Sequence, residues 1–349
     1  MDKPLAGLRV IDFSWSLPGP FATRMLLDMG AEVHVVELTG RPEVLRGLPP
    51  THMGENICWL YVNDGKTRQS LNIGDPEDVE RITEAIGGFD IVVEQFRPGV
   101  MDAFGLGYTS LAARHPHLIY CSITGYGQEG PYRDRAGHDV NYMALSGVAD
   151  GMRGSDGMPV LSALPFGDVA GGSLHAAIGI LAALQGRART GRGVHVDISM
   201  THALWALNAF VGPAALNGAG EKPGTGLLDG GCFYGYYRTK DGHHLAVGGL
   251  EAKFVSGFFG AVGRPDLIEA ALDPSPLERR RVRNEVAVII SGEVLDHWLA
   301  LFDERNICVE PVISSAATKE RKLFDGRMVG LDACSGISVP GPAIRFRPF

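Results

Sequence analysis

Leu8-Arg9-Val10-Ile11-Asp12-Phe13 is a short apolar run, and residues 32–37 repeat its character after a helical stretch at 21–29 that Gly30 stops. Runs of that length and composition read as buried strands. Strand, helix and strand in succession predict a unit of the parallel kind, with 14–20 as its first loop. A second unit follows: a strand at 69–73, a helix over Pro76–Ile86 capped by Asp75 and closed by Gly87-Gly88, and a strand at 90–94. Residues 118–123 and 194–199 add strands, while 138–148, 169–186 and 200–216 read as helices, the last weakened by Pro213. The pattern predicts the α/β class.

Composition bounds the function. The chain has 349 residues, 45% hydrophobic and 21% charged, enough for two domains or one elaborate one. A net charge of -8 argues against a nucleic-acid partner and requires local Arg and Lys for any anionic ligand. Five cysteines without a CxxC pair predict reduced, mostly buried thiols in a cytoplasmic setting. Met1-Asp2-Lys3-Pro4 leads into the first strand without a signal-peptide apolar region, and the apolar stretch near 178–184 reads as too short to span a membrane. No membrane partner is expected. Gly and Pro dominate 217–231, which predicts a large domain at 1–216, a linker, and a small α+β domain at 232–324, with 325–349 returning to the first. In the small domain, strands on either side of Lys240-Asp241-Gly242 predict a hairpin, followed by helices at 252–262 and 291–304. The tail from Gly330 reads as irregular.

Walker, HExxH and GxSxG motifs are absent. His243 and His244 are adjacent in a predicted strand and point to opposite faces, which does not make a metal site. What remains are three titratable residues beside glycines: His138 in Ala136-Gly137-His138-Asp139-Val140-Asn141-Tyr142, Asp168 in Phe166-Gly167-Asp168-Val169-Ala170-Gly171-Gly172, and Glu251 after Gly248-Gly249-Leu250. Read locally, His138 is a helix-start residue, Asp168 an N-cap, and Glu251 a first-turn acid favoured by the helix dipole. Read together, one histidine and two carboxylates supply proton transfer at a carbon next to a carbonyl. The small residues after Asp168 suggest close approach by a ligand.

The order of these three motifs resembles the α-methylacyl-CoA racemases of the family III CoA-transferase superfamily. Leu27-Asp28-Met29-Gly30-Ala31-Glu32, Phe96-Arg97-Pro98-Gly99, Thr124-Gly125-Tyr126-Gly127 and Leu228-Asp229-Gly230-Gly231 extend the resemblance over nearly the whole chain. It implies a doubly wound, Rossmann-like large domain that binds CoA, a smaller α+β domain, and a homodimer of interlocked subunits. His138 and Asp168 would then be bases on opposite faces of C2 of a 2-methylacyl-CoA thioester, with Glu251 orienting His138. CoA enters as part of the substrate, with no metal or prosthetic group. The same resemblance assigns CoA phosphates to Lys66 and Arg97 and the nucleotide to Ser70, Leu71, Asn72 and Ile73. Gly125, Tyr126, Gly137, Asp139, Val140, Asn141 and Tyr142 are assigned to the acyl-CoA. In two places the chain departs from racemases. Val35-Val36-Glu37-Leu38 lacks their usual arginine, leaving Arg41 as the nearest substitute, and Leu164 stands where Asn is usual. The alternative within the superfamily is a CoA-transferase with Asp168 as the nucleophile of an acyl anhydride.

Overall fold

Ile91–Glu94 and Ile119–Thr124 are buried at every position, the environment of interior strands in a parallel sheet covered on both faces. The computed structural model, which describes residues 3–154, 156–331 and 334–347, builds that sheet from six strands. They are β1 (Arg9–Asp12), β2 (Glu32–Leu38), β3 (Thr67–Leu71), β4 (Ile91–Glu94), β5 (Ile119–Thr124) and β6 (His195–Ser199), in the order β3-β2-β1-β4-β5-β6. Every neighbouring pair is parallel. This is the α/β architecture the sequence predicts. The strand order reverses between β1 and β4, so the loops beyond their carboxyl ends flank the position where open α/β sheets bind ligands. β3 forms one edge, with four of its five residues exposed, and lies two residues earlier than predicted.

The covering helices start where the local chemistry allows. α1 (Pro18–Asp28) begins three residues before the predicted start, because Pro18 stands in its first turn with φ already set. α2 (Pro76–Ile86) keeps its predicted bounds, and Asp75 accepts a hydrogen bond from the Glu77 amide at 3.0 Å. α3 is short (Asp139–Leu145), with His138 at its N-cap. α4 runs over Gly167–Thr190, its first eight residues, Gly167–Leu174, wound as a π-helix. With 24 residues and a mean hydropathy of 1.4 it is long and apolar enough to cross a membrane, which corrects the reading of a short apolar stretch. Part of it is buried in the protein: Ser173, Ala176 and Ile180 are fully covered. α5 stops at Leu207 (Met200–Leu207), and a separate short helix follows at Gly212–Leu216.

The chain divides into two compact units. The first gathers the described residues of Met1–Val148, Leu161–Ala209 and Asp325–Phe349; the second holds those of Ala149–Val160 and Phe210–Phe324. Residues 149–160 and 210–216, read from the sequence as part of the large domain, thus cluster with the second unit. That unit has a three-stranded antiparallel sheet of β7 (Gly235–Arg238), β8 (His244–Val247) and β9 (Val309–Pro311), with β8 central. The hairpin of β7 and β8 pairs His244 with Arg238, as Lys240-Asp241-Gly242 predicts. Helices α6 (Ala252–Ala261), α7 (Pro276–Ser291) and α8 (Leu295–Phe302) close a core of Phe233, Leu245, Phe258, Phe259, Val286 and Trp298. α7 escaped the sequence reading because its arginines hide a buried stripe of Val282, Val286 and Ile290.

The tail is not irregular. β10 (Met328–Leu331) pairs antiparallel with β11 (Cys334–Pro340), with a register shift at Gly330/Leu331. Leu331 and Val339 pack with Trp59 and Leu60 in the first unit. Among the cysteines, Cys121 and Cys232 are buried and Cys58 is half-buried, but Cys308 is exposed. The side chain of Cys334 lies outside the described residues, as do Met1 and Asp2.

Candidate active site

Two elements of the first unit deliver His138 and Asp168. The loop that leaves β5 carries Gly125, Tyr126 and Gly137 to the start of α3, where His138 is exposed. Asn141 reaches back one turn, and its Oδ1 accepts a hydrogen bond from the His138 amide at 3.0 Å. That bond satisfies an amide at a helix start and fixes the backbone that bears the imidazole. Tyr142 is buried and donates its phenol to the Gly137 carbonyl at 2.5 Å, and its ring stands edge-on to Tyr126 at 5.4 Å. The glycines of this loop make room for those rings. A Cβ on Gly125 would come within 2.4 Å of the Tyr142 ring, and one on Gly137 within 2.7 Å of both the Tyr126 hydroxyl and the Tyr142 ring.

Asp168 is not the N-cap that its local sequence suggests. Phe166 takes that position, and Asp168 lies inside the first, π-wound turn of α4. Its amide donates to Asp139 Oδ1 at 3.1 Å, and its carbonyl accepts from Ser173 at 3.2 Å. Among the described residues no hydrogen bond reaches its carboxyl group. Burial raises the pKa of that carboxyl to about 6, the negative charge of Asp139 adds to the shift, and His138 opposes it. The structure therefore brings His138 and Asp168 into one electrostatic neighbourhood. The glycines after Asp168 admit close approach by other parts of the protein, backbone included. A Cβ on Gly171 would stand 2.8 Å from the Met200 carbonyl oxygen, and one on Gly172 3.0 Å from Pro18.

Glu251 belongs to the second unit, where it is the exposed N-cap of α6 and its carbonyl accepts from the Phe254 and Val255 amides at 2.9 and 3.0 Å. Of the residues assigned to CoA, Arg41, Ser70 and Asn72 are exposed, Ile73 is half-buried and Leu71 is buried in the core. Val140 and Asn141 are exposed beside His138. Arg97 is exposed and close enough to Tyr142 for its charge to oppose the burial that pushes that phenol up to about 12.

Lys66 departs from its assigned role. Its side chain is 0% exposed, and all three ammonium donors have partners: the Pro20 carbonyl at 2.8 Å, Thr23 Oγ1 at 2.7 Å and Asp12 Oδ2 at 3.5 Å. An ammonium spent on three buried acceptors has no donor left for a phosphate.

The sequence reading missed a further polar group at the carboxyl ends of β4 and β5. Glu94, 4% exposed, accepts from the Phe96 amide at 2.7 Å, and burial pushes its carboxyl up to about 7. Ser122 lies between it and His195 Nε2, the latter at 2.9 Å. With Arg97, Asp102 and Tyr108 they line a cavity of about 110 Å³. The available signal was position alone: Glu94 ends an apolar parallel strand, where functional groups gather.

Comparison with known proteins places this geometry in a class. The model of CoA-transferase family III matches residues 5–346, and the chain belongs to that family. Within it, the chain is 35% identical to mouse (Mus musculus) succinyl-CoA:glutarate CoA-transferase over 99% of its own length and 81% of that protein. It is 33% identical to mouse alpha-methylacyl-CoA racemase over 89% of its length and 78% of that protein. Among solved structures, Rv3272 from Mycobacterium tuberculosis superposes with a TM-score of 0.84 at 27% identity, covering 99% of this chain and 93% of that one.

Proposed function

We propose that this protein is a racemase that inverts C2 of 2-methylacyl-CoA thioesters by two-base proton transfer between His138 and Asp168. One group removes the C2 proton, the electron pair of the broken C–H bond passes into a thioester enolate, and the other group delivers a proton to the opposite face. No bond to the enzyme forms and no redox partner is needed. The thioester already acidifies the proton, and backbone N–H groups can stabilise the enolate oxygen.

One observation carries this reading: the Asp168 carboxyl has no hydrogen-bond donor among the described residues, has a pKa raised by burial to about 6, and lies within electrostatic reach of the His138 imidazole. General acid–base groups work best with a pKa close to the operating pH. A carboxyl with a pKa near 6 is mostly ionised at neutral pH, so it can accept the C2 proton, and it is a stronger base than an ordinary carboxylate. The second reading, a CoA-transferase with Asp168 as acyl carrier, is favoured by the likeness to succinyl-CoA:glutarate CoA-transferase. The racemase reading gives the exposed imidazole of His138 a role as the second base, which an acyl carrier at Asp168 does not require.

The test is incubation with 2-methylacyl-CoA thioesters in D₂O, followed by NMR at C2. Racemisation predicts deuterium wash-in with loss of optical purity. Acyl transfer predicts no wash-in, a hydroxylamine-sensitive acyl group on Asp168, and exchange of CoA between acids.

A further inference from the structure

Asp139 is joined by a peptide bond to His138, and its side chain reaches α4. Its Oδ1 accepts the Asp168 amide at 3.1 Å. The contact is tight enough that a Cβ on Gly167 would lie 2.8 Å from that same oxygen, so a larger residue there would push the Asp139 carboxylate aside. On the far side, Ser173 is fully buried, and its hydroxyl lies 3.2 Å from the Asp168 carbonyl and 2.7 Å from that of Pro18 at the start of α1. The wide π turn is thus held from two directions, and only one of them leads to His138. π-Helical segments of this kind recur at functional sites.

From this geometry we infer that Asp139 is a positioning residue whose carboxylate clamps the amide of Asp168 and so fixes the separation of the two proton-transfer groups. The inference rests on the two-base reading above and reassigns Asp139 from substrate contact to internal brace. A misplacement of about 1 Å at a reacting centre costs on the order of 10²-fold in rate, so a brace between the two bases is worth as much as a direct contact. Asp139 also acts through charge. The titratable groups facing Asp168 are Asp139, His138 and Tyr142, while α1 and α5 meet the wide turn with Pro18, Met200 and Leu204. Removing the Asp139 charge leaves burial as the main cause of the raised carboxyl and lowers its pKa.

Two variants separate brace from charge. Asp139→Asn keeps an acceptor oxygen and loses the charge; Asp139→Ala loses both. Turnover of a 2-methylacyl-CoA should fall about 10²-fold in Asp139→Ala and no more than about fivefold in Asp139→Asn, with KM little changed in either. A ¹³C NMR titration of the Asp168 carboxyl, which needs no substrate, should show a lower pKa in both variants than in the parent. A rise in KM at unchanged kcat would make Asp139 a substrate contact and overturn the brace. So would an Asn variant as impaired as the Ala variant, while an Asp168 titration that neither substitution moves would overturn the charge effect. If the parent protein shows no C2 exchange, the racemase reading fails, and the titration still decides whether Asp139 acts on Asp168.

Discussion

Asp12 and Asp168 are carboxylates of the same unit, the first fully buried and the second half-buried, and their surroundings differ in kind. Asp12 is 1% exposed and saturated: Ser14 donates through both its amide and its hydroxyl, Thr23 donates a second hydroxyl, and the Lys66 ammonium stands 3.5 Å away. Among the described residues none bonds to the Asp168 carboxyl, which has a like-charged neighbour in Asp139 and a pKa raised by burial to about 6. The first arrangement spends every lone pair on holding the β1–α1 loop in place. The second leaves the carboxyl without such partners, as the proposed proton transfer requires. A buried carboxylate therefore marks structure or chemistry according to what its neighbours satisfy, and sequence alone cannot distinguish the two.

The sharpest way to break this comparison is to remove each carboxylate's partner. His138→Ala and Asp168→Asn should each lower the rate of C2 inversion by about 10²–10⁴-fold, the range for loss of a general acid–base group, as followed by chiral chromatography of the acyl product. Lys66→Met should leave catalytic groups in place but strand Asp12 in the core. The expected loss is about 3–5 kcal/mol of stability in a denaturant titration, with much of it recovered in the Asp12→Asn, Lys66→Met double variant.

The same contrast has a sign in stability against pH. The folded Asp168 binds its proton up to about pH 6, whereas the unfolded chain releases it near the ordinary value of 3.8. Stability from this site is therefore present below pH 4 and lost as pH rises towards 6. Asp168→Asn should be more stable than the parent by up to about 3 kcal/mol above pH 6, with the difference vanishing below pH 4. Asp12→Asn, in contrast, should destabilise. A smaller effect tests the packing under the wide turn: Gly171→Ala, whose Cβ meets the Met200 carbonyl oxygen at 2.8 Å, should cost about 1–3 kcal/mol.

The sheet was legible because β-branched runs such as Ile91-Val92-Val93 leave little choice of structure, and α2 because Asp75 and Pro76 mark its start. His138 and Asp168 were singled out through the order of their motifs, and the structure puts them within electrostatic reach of each other. What escaped depended on contacts distant in sequence. Nothing near Lys66 announces that Asp12, 54 positions earlier (66 − 12), takes up its charge. The glycines after Asp168 announce a close approach, but only the structure shows that Met200 and Pro18 make it. Glu94, Ser122 and His195 come from three strands, and only their parallel register assembles the group.

The central claim, two bases acting on opposite faces of one carbon, is tested most directly by following each enantiomer of a 2-methylacyl-CoA separately in D₂O with the single-base variants. The account predicts that His138→Ala still exchanges the C2 proton of one enantiomer, that Asp168→Asn exchanges only the other, and that neither inverts. Loss of exchange with both enantiomers in Asp168→Asn, alongside unchanged exchange and inversion in His138→Ala, would contradict it.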